Sequence, residues 1–143
     1  MKSRFDPIVD LKKSELTKRE ASLVQLGTIL QNAKNALQNS YDELGSIDLQ
    51  KGGVAKEMHK ARALVDLQRA TIVKNREWVA FASSQLEVAR REYEKELLEL
   101  EKFKYLQSEE IREKILEIKK KESKELDEIA VLSYARVKNA NNI

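Results

Sequence analysis

The residues best suited to chemistry are carboxylates. Glu92, Glu94, Glu96, Glu99 and Glu101 form an acidic run, and Lys119-Lys120-Lys121 follows it. Two carboxylates can share acid–base work, but only in a cleft that separates their pKa values. A metal would need a different set of ligands. His59 is the one histidine and there are no cysteines, so a zinc site would rest on carboxylates alone. The histidine reads as an exposed surface residue. There is no glycine-rich phosphate loop and no nucleophile motif. Neither catalysis nor a cofactor is expected. Glu87–Arg91, Glu110–Lys114 and Glu117–Lys121 place opposite charges one helical turn apart, so the charge runs read as solvated helix faces.

The elements that carry these charges are long helices. The 143 residues are 41% hydrophobic and 36% charged, with four Gly and one Pro, a composition typical of coiled coils. A rod of this kind encloses no deep pocket for a small molecule. The 27 basic and 24 acidic side chains leave a net charge of +3 on a mixed surface, whereas nucleic-acid binding favours a face of one sign. No apolar run is long enough for a transmembrane helix, and the N-terminus lacks the apolar stretch of a secretory signal. The expectation is a cytoplasmic protein that does not insert into a membrane.

Asp6 is suited to cap a helix, and Pro7 to its first position. Val9, Leu16, Leu23, Leu30, Leu37 and Leu44 then recur every seven residues, with companions Lys12, Arg19, Leu26, Ala33, Ser40 and Ile47. A sustained seven-residue repeat implies a supercoil against a partner helix. Lys12 and Arg19 predict a wet, weakly packed end; Ala33 and Ser40 predict close approach. Gly52-Gly53 is the strongest turn signal.

A second helix follows, with the series Met58, Val65, Ile72, Val79, Leu86, Tyr93, Leu100 and companions Ala61, Gln68, Asn75, Ala82, Ala89, Glu96, Phe103. Beyond Leu100 the apolar positions move to Ile111, Ile115, Ile118, Leu126, Ile129 and Leu132. Eleven-residue steps of this kind locally unwind a coiled coil. Gln68 and Asn75 either set register through matched partners or sit solvated at the seam edge. Trp78 either anchors a partner or folds over the seam.

The expected fold is all-α: one coiled-coil domain over residues 1–143, built as an antiparallel hairpin. Helix 1 covers about residues 6–46, the turn about 47–54 and helix 2 about 55–138. At 1.5 Å per residue the helices are roughly 60 and 120 Å long. Helix 2 should therefore overhang from about Leu100, and its unpaired apolar stripe should be a surface for another protein.

Phe5-Asp6-Pro7-Ile8-Val9-Asp10-Leu11-Lys12, leading to Leu16 and Glu20, resembles the start of bacterial flagellar export proteins of the FliJ family. The tail from Glu122 through Leu126-Asp127-Glu128-Ile129-Ala130 to Arg136 resembles that family's C-terminus. The resemblance implies a cytoplasmic, non-enzymatic, stalk-like part of type III export. It would insert into the hexameric ring of the export ATPase, touch the cytoplasmic domain of the export-gate membrane protein and handle export chaperones. The family's gate-contacting helix carries an aromatic, Leu, Ala and His at steps of four, three and four. Here that implies Ala63, Leu67, Ala70 and Lys74, with Leu67 and Ala70 matching in type. For the ATPase, the stalk analogy implies Lys12, Lys13, Lys18 and Arg19 with Arg136. For chaperones it implies Tyr41, with Gly45 where the family has a second tyrosine. The alternative is a structural coiled-coil oligomer or a prefoldin-like holdase that buries the distal stripe in self-association.

Overall fold

The computed structural model describes residues 1–47 and 55–141. Two helices account for nearly all of them, α1 over Asp6–Ser46 and the much longer α2 over Ala55–Asn141. The Gly52-Gly53 turn lies outside the described residues. The chain divides into two compact units, one of Ser14–Leu97 and one of Met1–Lys13 with the chain from Leu98 onward.

In the unit 14–97, α1 and α2 run antiparallel. Arg19 meets Glu92, the Ala36 carbonyl meets Asn75, and Glu43 meets Gln68. Every seam position in this unit is buried or half-buried on α1, and so is every one on α2 from Ala61 on. The two seven-residue series thus become the two faces of one interface. Leu16, Ala33, Ile72, Ala82 and Leu86 are the best-buried apolar residues here, and Ala33 has no exposure at all. Ser40 is equally well covered, its hydroxyl donating to the Leu37 carbonyl at 2.7 Å. Small side chains at 33, 40 and 82 are what allow the helices this close.

The seam amides face the partner helix rather than water. Asn75 Nδ2 donates to the Ala36 carbonyl at 3.2 Å and to Ser40 Oγ at 3.3 Å. Gln68 Nε2 donates to the Ser40 carbonyl at 2.8 Å and to Glu43 at 3.2 Å. These bonds hold in one register, because a shift of one residue would strand half-buried donors.

The end expected to be wet is packed instead. In the unit containing the N-terminus, Val9 and Leu100 are 2% and 4% exposed. Lys12 reaches across to Glu99 at 2.6 Å, and in the neighbouring unit Arg19 reaches Glu92 at 2.9 Å and Glu96 at 4.0 Å. A long basic side chain can bury its stem along a seam and bring its charge to a carboxylate at the rim.

The pairing also runs past Leu100. Phe103, Gln107, Glu110 and Lys114 are half-buried and keep the spacing of the seam, but three of the four are polar. They meet the first residues of the chain. Gln107 donates to Asp6 at 2.6 Å, Ser3 Oγ donates to Glu110 at 2.8 Å, and Lys114 donates to the Lys2 carbonyl at 2.9 Å. The overhang therefore begins after Lys114, not near Leu100. Helix lengths alone mislead because α2 starts well ahead of Gln68, the partner of Glu43, and its residues 55–60 are exposed. That lead moves the whole pairing further along α2.

Capping differs from the simple expectation in the same region. Ser3 Oγ accepts from the Phe5 N–H at 3.1 Å, while the Asp6 carboxylate reaches back to the Ser3 N–H at 3.0 Å. This is the reciprocal logic of a capping box, shared between Ser3 and Asp6.

Hydrogen bonds from Gln107 and the Ser3 N–H hold the Asp6 carboxyl below its ordinary pKa of 3.8. Burial works against the charged form of Glu110, but bonds from Ser3, the Arg4 N–H and Lys114 outweigh it and leave its pKa below 4.5. Carboxylates depressed on folding contribute stability above their unfolded values and lose it as pH falls through their folded values. The N-terminal clasp is thus expected to hold at neutral pH and to open below about pH 4. An NMR titration should show the Ser3 and Phe5 amides changing in that acid range while the Ile72 and Leu86 amides stay native. Unchanged Ser3 and Phe5 signals down to the unfolding of the whole chain would refute the clasp.

Candidate functional site

Much of the acidic run is engaged in ion pairs with α1. Glu92 and Glu96 face Arg19, and Glu99 faces Lys12. Among the described residues no group of His, Asp or Glu side chains could hold a metal ion, and no helix is long and apolar enough to cross a membrane. His59 is exposed on α2. Depressions such as the one lined by Lys124, Asp127, Glu128, Val131 and Leu132 belong to one helix and lie open. The candidate sites are therefore surfaces.

The first is the outer face of α2 in the unit 14–97. Ala63, Leu67, Ala70 and Lys74, expected to meet the export gate, are all exposed there. Their steps of four, three and four set them on one side of the helix. Leu67 is 66% exposed. The same side continues to Trp78 and Phe81, which are 40% and 64% exposed. Phe81 was not singled out from the sequence; its signal is the seven-residue spacing from Lys74, outside the inner seam.

The second surface is the distal part of α2, where every described residue from Ile115 onward is exposed. Ile118, Leu126, Ile129 and Leu132 lie along it, 45–65% exposed. The apolar stripe anticipated there is present, and among the described residues nothing covers it.

The basic residues expected to meet the ATPase are not gathered into one patch. Lys12 and Arg19 are committed to carboxylates of α2, whereas Lys18 and Arg136 are exposed. Lys13 is exposed and already has an electrostatic or hydrogen-bonding partner. Arg136 lies on the distal stretch, 22 residues past Lys114, or about 33 Å along the helix. Tyr41, expected to meet chaperones, is 38% exposed. Its hydroxyl accepts from Arg76 Nε at 2.8 Å, with the guanidinium 5.6 Å from its ring centre. Tyr93, at the other end of the unit, donates to Glu20 at 3.2 Å; burial and the Glu20 charge both push its pKa up.

No curated protein and no solved structure matches the chain. The family model described as FliJ, flagellar FliJ protein, matches residues 1–139, which takes in both helices, the N-terminal clasp and nearly all of the distal overhang. On that match the chain belongs to the flagellar FliJ protein family.

Proposed function

We propose that the chain is a non-enzymatic, stalk-like binder and activator of the export ATPase ring, linked through its other surfaces to the export gate and to export chaperones. Membership of the FliJ family carries the broader role, in flagellar protein export. The observation that carries the finer reading is the overhang of α2. A helix exposed at every described position from Ile115 to Asn141, with isoleucines and leucines along it, is a surface made for another protein. Lys13, Lys18 and Arg136 are the exposed basic residues of the expected ATPase set, while Lys12 and Arg19 act through the packing of the paired end. The outer face of α2 serves the gate protein, and the level of Tyr41 and Arg76 serves chaperones. Through these partners the chain works at the cytoplasmic face of the inner membrane.

The test is direct. Adding the purified chain to the purified export ATPase is expected to raise its rate of hydrolysis, and the two should co-elute. A chain that neither binds nor stimulates the enzyme sinks this reading. If it also self-associates with rising concentration in the ultracentrifuge, the structural oligomer takes its place.

A further inference from the structure

A glycine stands near the midpoint of α1 where the packing does not call for one. Gly27 is half-buried, an added Cβ would meet nothing within 4 Å, and its backbone is ordinary helix. Glycine inside a helix weakens it, because it gives up more backbone freedom on folding than any other residue. The next residue adds to the weakness. Thr28 Oγ donates to the Val24 carbonyl at 3.0 Å, a back-bond of the kind that bends helices.

α2 is weak at the same level. Tyr93 bonds to Glu20, and Leu86 and Gly27 each lie seven residues on from that contact. Ser83 and Ser84, within a turn of Leu86, are exposed in mid-helix. Serine is a poorer helix former than alanine, and glycine and serine positions are among the places where helices kink.

The contact between the helices changes character over the same stretch. On one side Arg19 and Glu20 bond to Glu92 and Tyr93. On the other, Asn75 donates to Ala36 and Ser40. Between them, from Ala21 to Asn35, no hydrogen bond or ion pair among the described residues crosses from α1 to α2. Over this stretch, about 22 Å of helix, the seam is apolar. Leu23, Leu26 and Leu30 are half-buried there, and Val79, Ala82 and Leu86 face them from α2. Apolar contact has no preferred direction, so it survives a change of angle that would break a hydrogen bond.

We infer that the hairpin has a waist, a level at Gly27 and Leu86 where both helices bend together. The polar contacts on either side keep the register while the apolar stretch between them yields. The device is conformational and does not depend on which protein covers the overhang. Stability given up at such a level is the usual cost of flexibility that a function needs.

The chain has no cysteine, so spin labels attach only where one is introduced. Ser14→Cys and Asn39→Cys, both exposed on α1, set two labels about 38 Å apart across the waist. Double electron–electron resonance on the full-length chain is expected to give a broad distribution of distances, which Gly27→Ala narrows. Thr71→Ala is the control. It removes a similar back-bond, from Thr71 to the Leu67 carbonyl, on a stretch of α2 outside the waist. Both substitutions should raise the melting temperature by about 2–5 °C, but only Gly27→Ala should narrow the distribution. A wild-type distribution already as narrow as that of Gly27→Ala would mean a straight, stiff α1 and overturn the inference. Equal narrowing by Thr71→Ala would trace the effect to general stabilisation and overturn it as well.

Discussion

Replacing Ala33 with leucine is expected to destabilise the chain by about 2 kcal/mol. The sign is the informative part. In an exposed or loosely paired helix the exchange is nearly neutral, because alanine and leucine are both strong helix formers. At a seam position with room to spare it would add apolar contact and stabilise. Ala33 has no exposure, and Ala82, 3% exposed, stands at the same level on α2. That level follows from the Asn75–Ser40 contact, seven residues away on each helix. Three added carbons must therefore push the helices apart. The opening would also loosen the bonds from Asn75 to the Ala36 carbonyl and Ser40, one heptad on. In urea denaturation the midpoint should fall, and the melting temperature should drop by roughly 4–8 °C for a chain of this size. A midpoint that stays put or rises would show that the helices are not closely packed at this level.

The fold was legible because it depends on a period. Val9 to Leu44 repeat every seven residues without a miss, and such a repeat has one economical solution, a partner helix. The break in helical pattern before Ala55 and the long second series then made a hairpin. What the apolar pattern could not reveal was pairing carried by polar side chains. Gln107, Glu110 and Lys114 keep the seam's spacing but are not apolar, so a reading of apolar positions ended the pairing near Leu100. Lys12 and Arg19 misled for a related reason. A basic residue in a seam looks like a defect until the carboxylate opposite it is known, and Glu99 and Glu92 lie 87 and 73 residues away in sequence. The surfaces were legible in part. The distal stripe showed as apolar residues with no partner left to cover them. Phe81 was hidden because it lies on the outer side of a helix whose inner repeat drew the eye first.

The two exposed apolar regions differ physically, and the difference bears on mechanism. The outer face of α2 around Leu67 and Ala70 belongs to a stretch whose opposite side is paired with α1, so its side chains are held on a supported helix. A partner meeting it finds a preorganised surface and bears little ordering cost. The distal stretch has no such support, because no described residue beyond Lys114 is even half-buried. Its helix rests on its own hydrogen bonds and on the helix propensity of its residues.

That contrast sets the second large effect. Most helical stability in proteins comes from packing of an apolar face, which this stretch lacks among the described residues, so amides from Ile115 to Asn141 are expected to exchange faster in the free chain than those near Ile72 and Leu86. Bound to the ATPase ring, the distal amides should become protected, because insertion fixes the helix and covers its stripe. Changing Leu126, Ile129 and Leu132 together to glutamine probes the stripe without disturbing the fold. Glutamine and leucine have similar helix propensities, and these three side chains are 65%, 59% and 62% exposed. The melting temperature should therefore hold within about a degree, since exposed substitutions shift stability little. Affinity for the ATPase should fall about a hundredfold or more, since each buried leucine or isoleucine contributes on the order of 1.5–3 kcal/mol. A variant that still binds and stimulates the ATPase at wild-type levels would move the contact off the overhang and onto the paired end, where Lys18 is exposed beside the ion-paired Arg19.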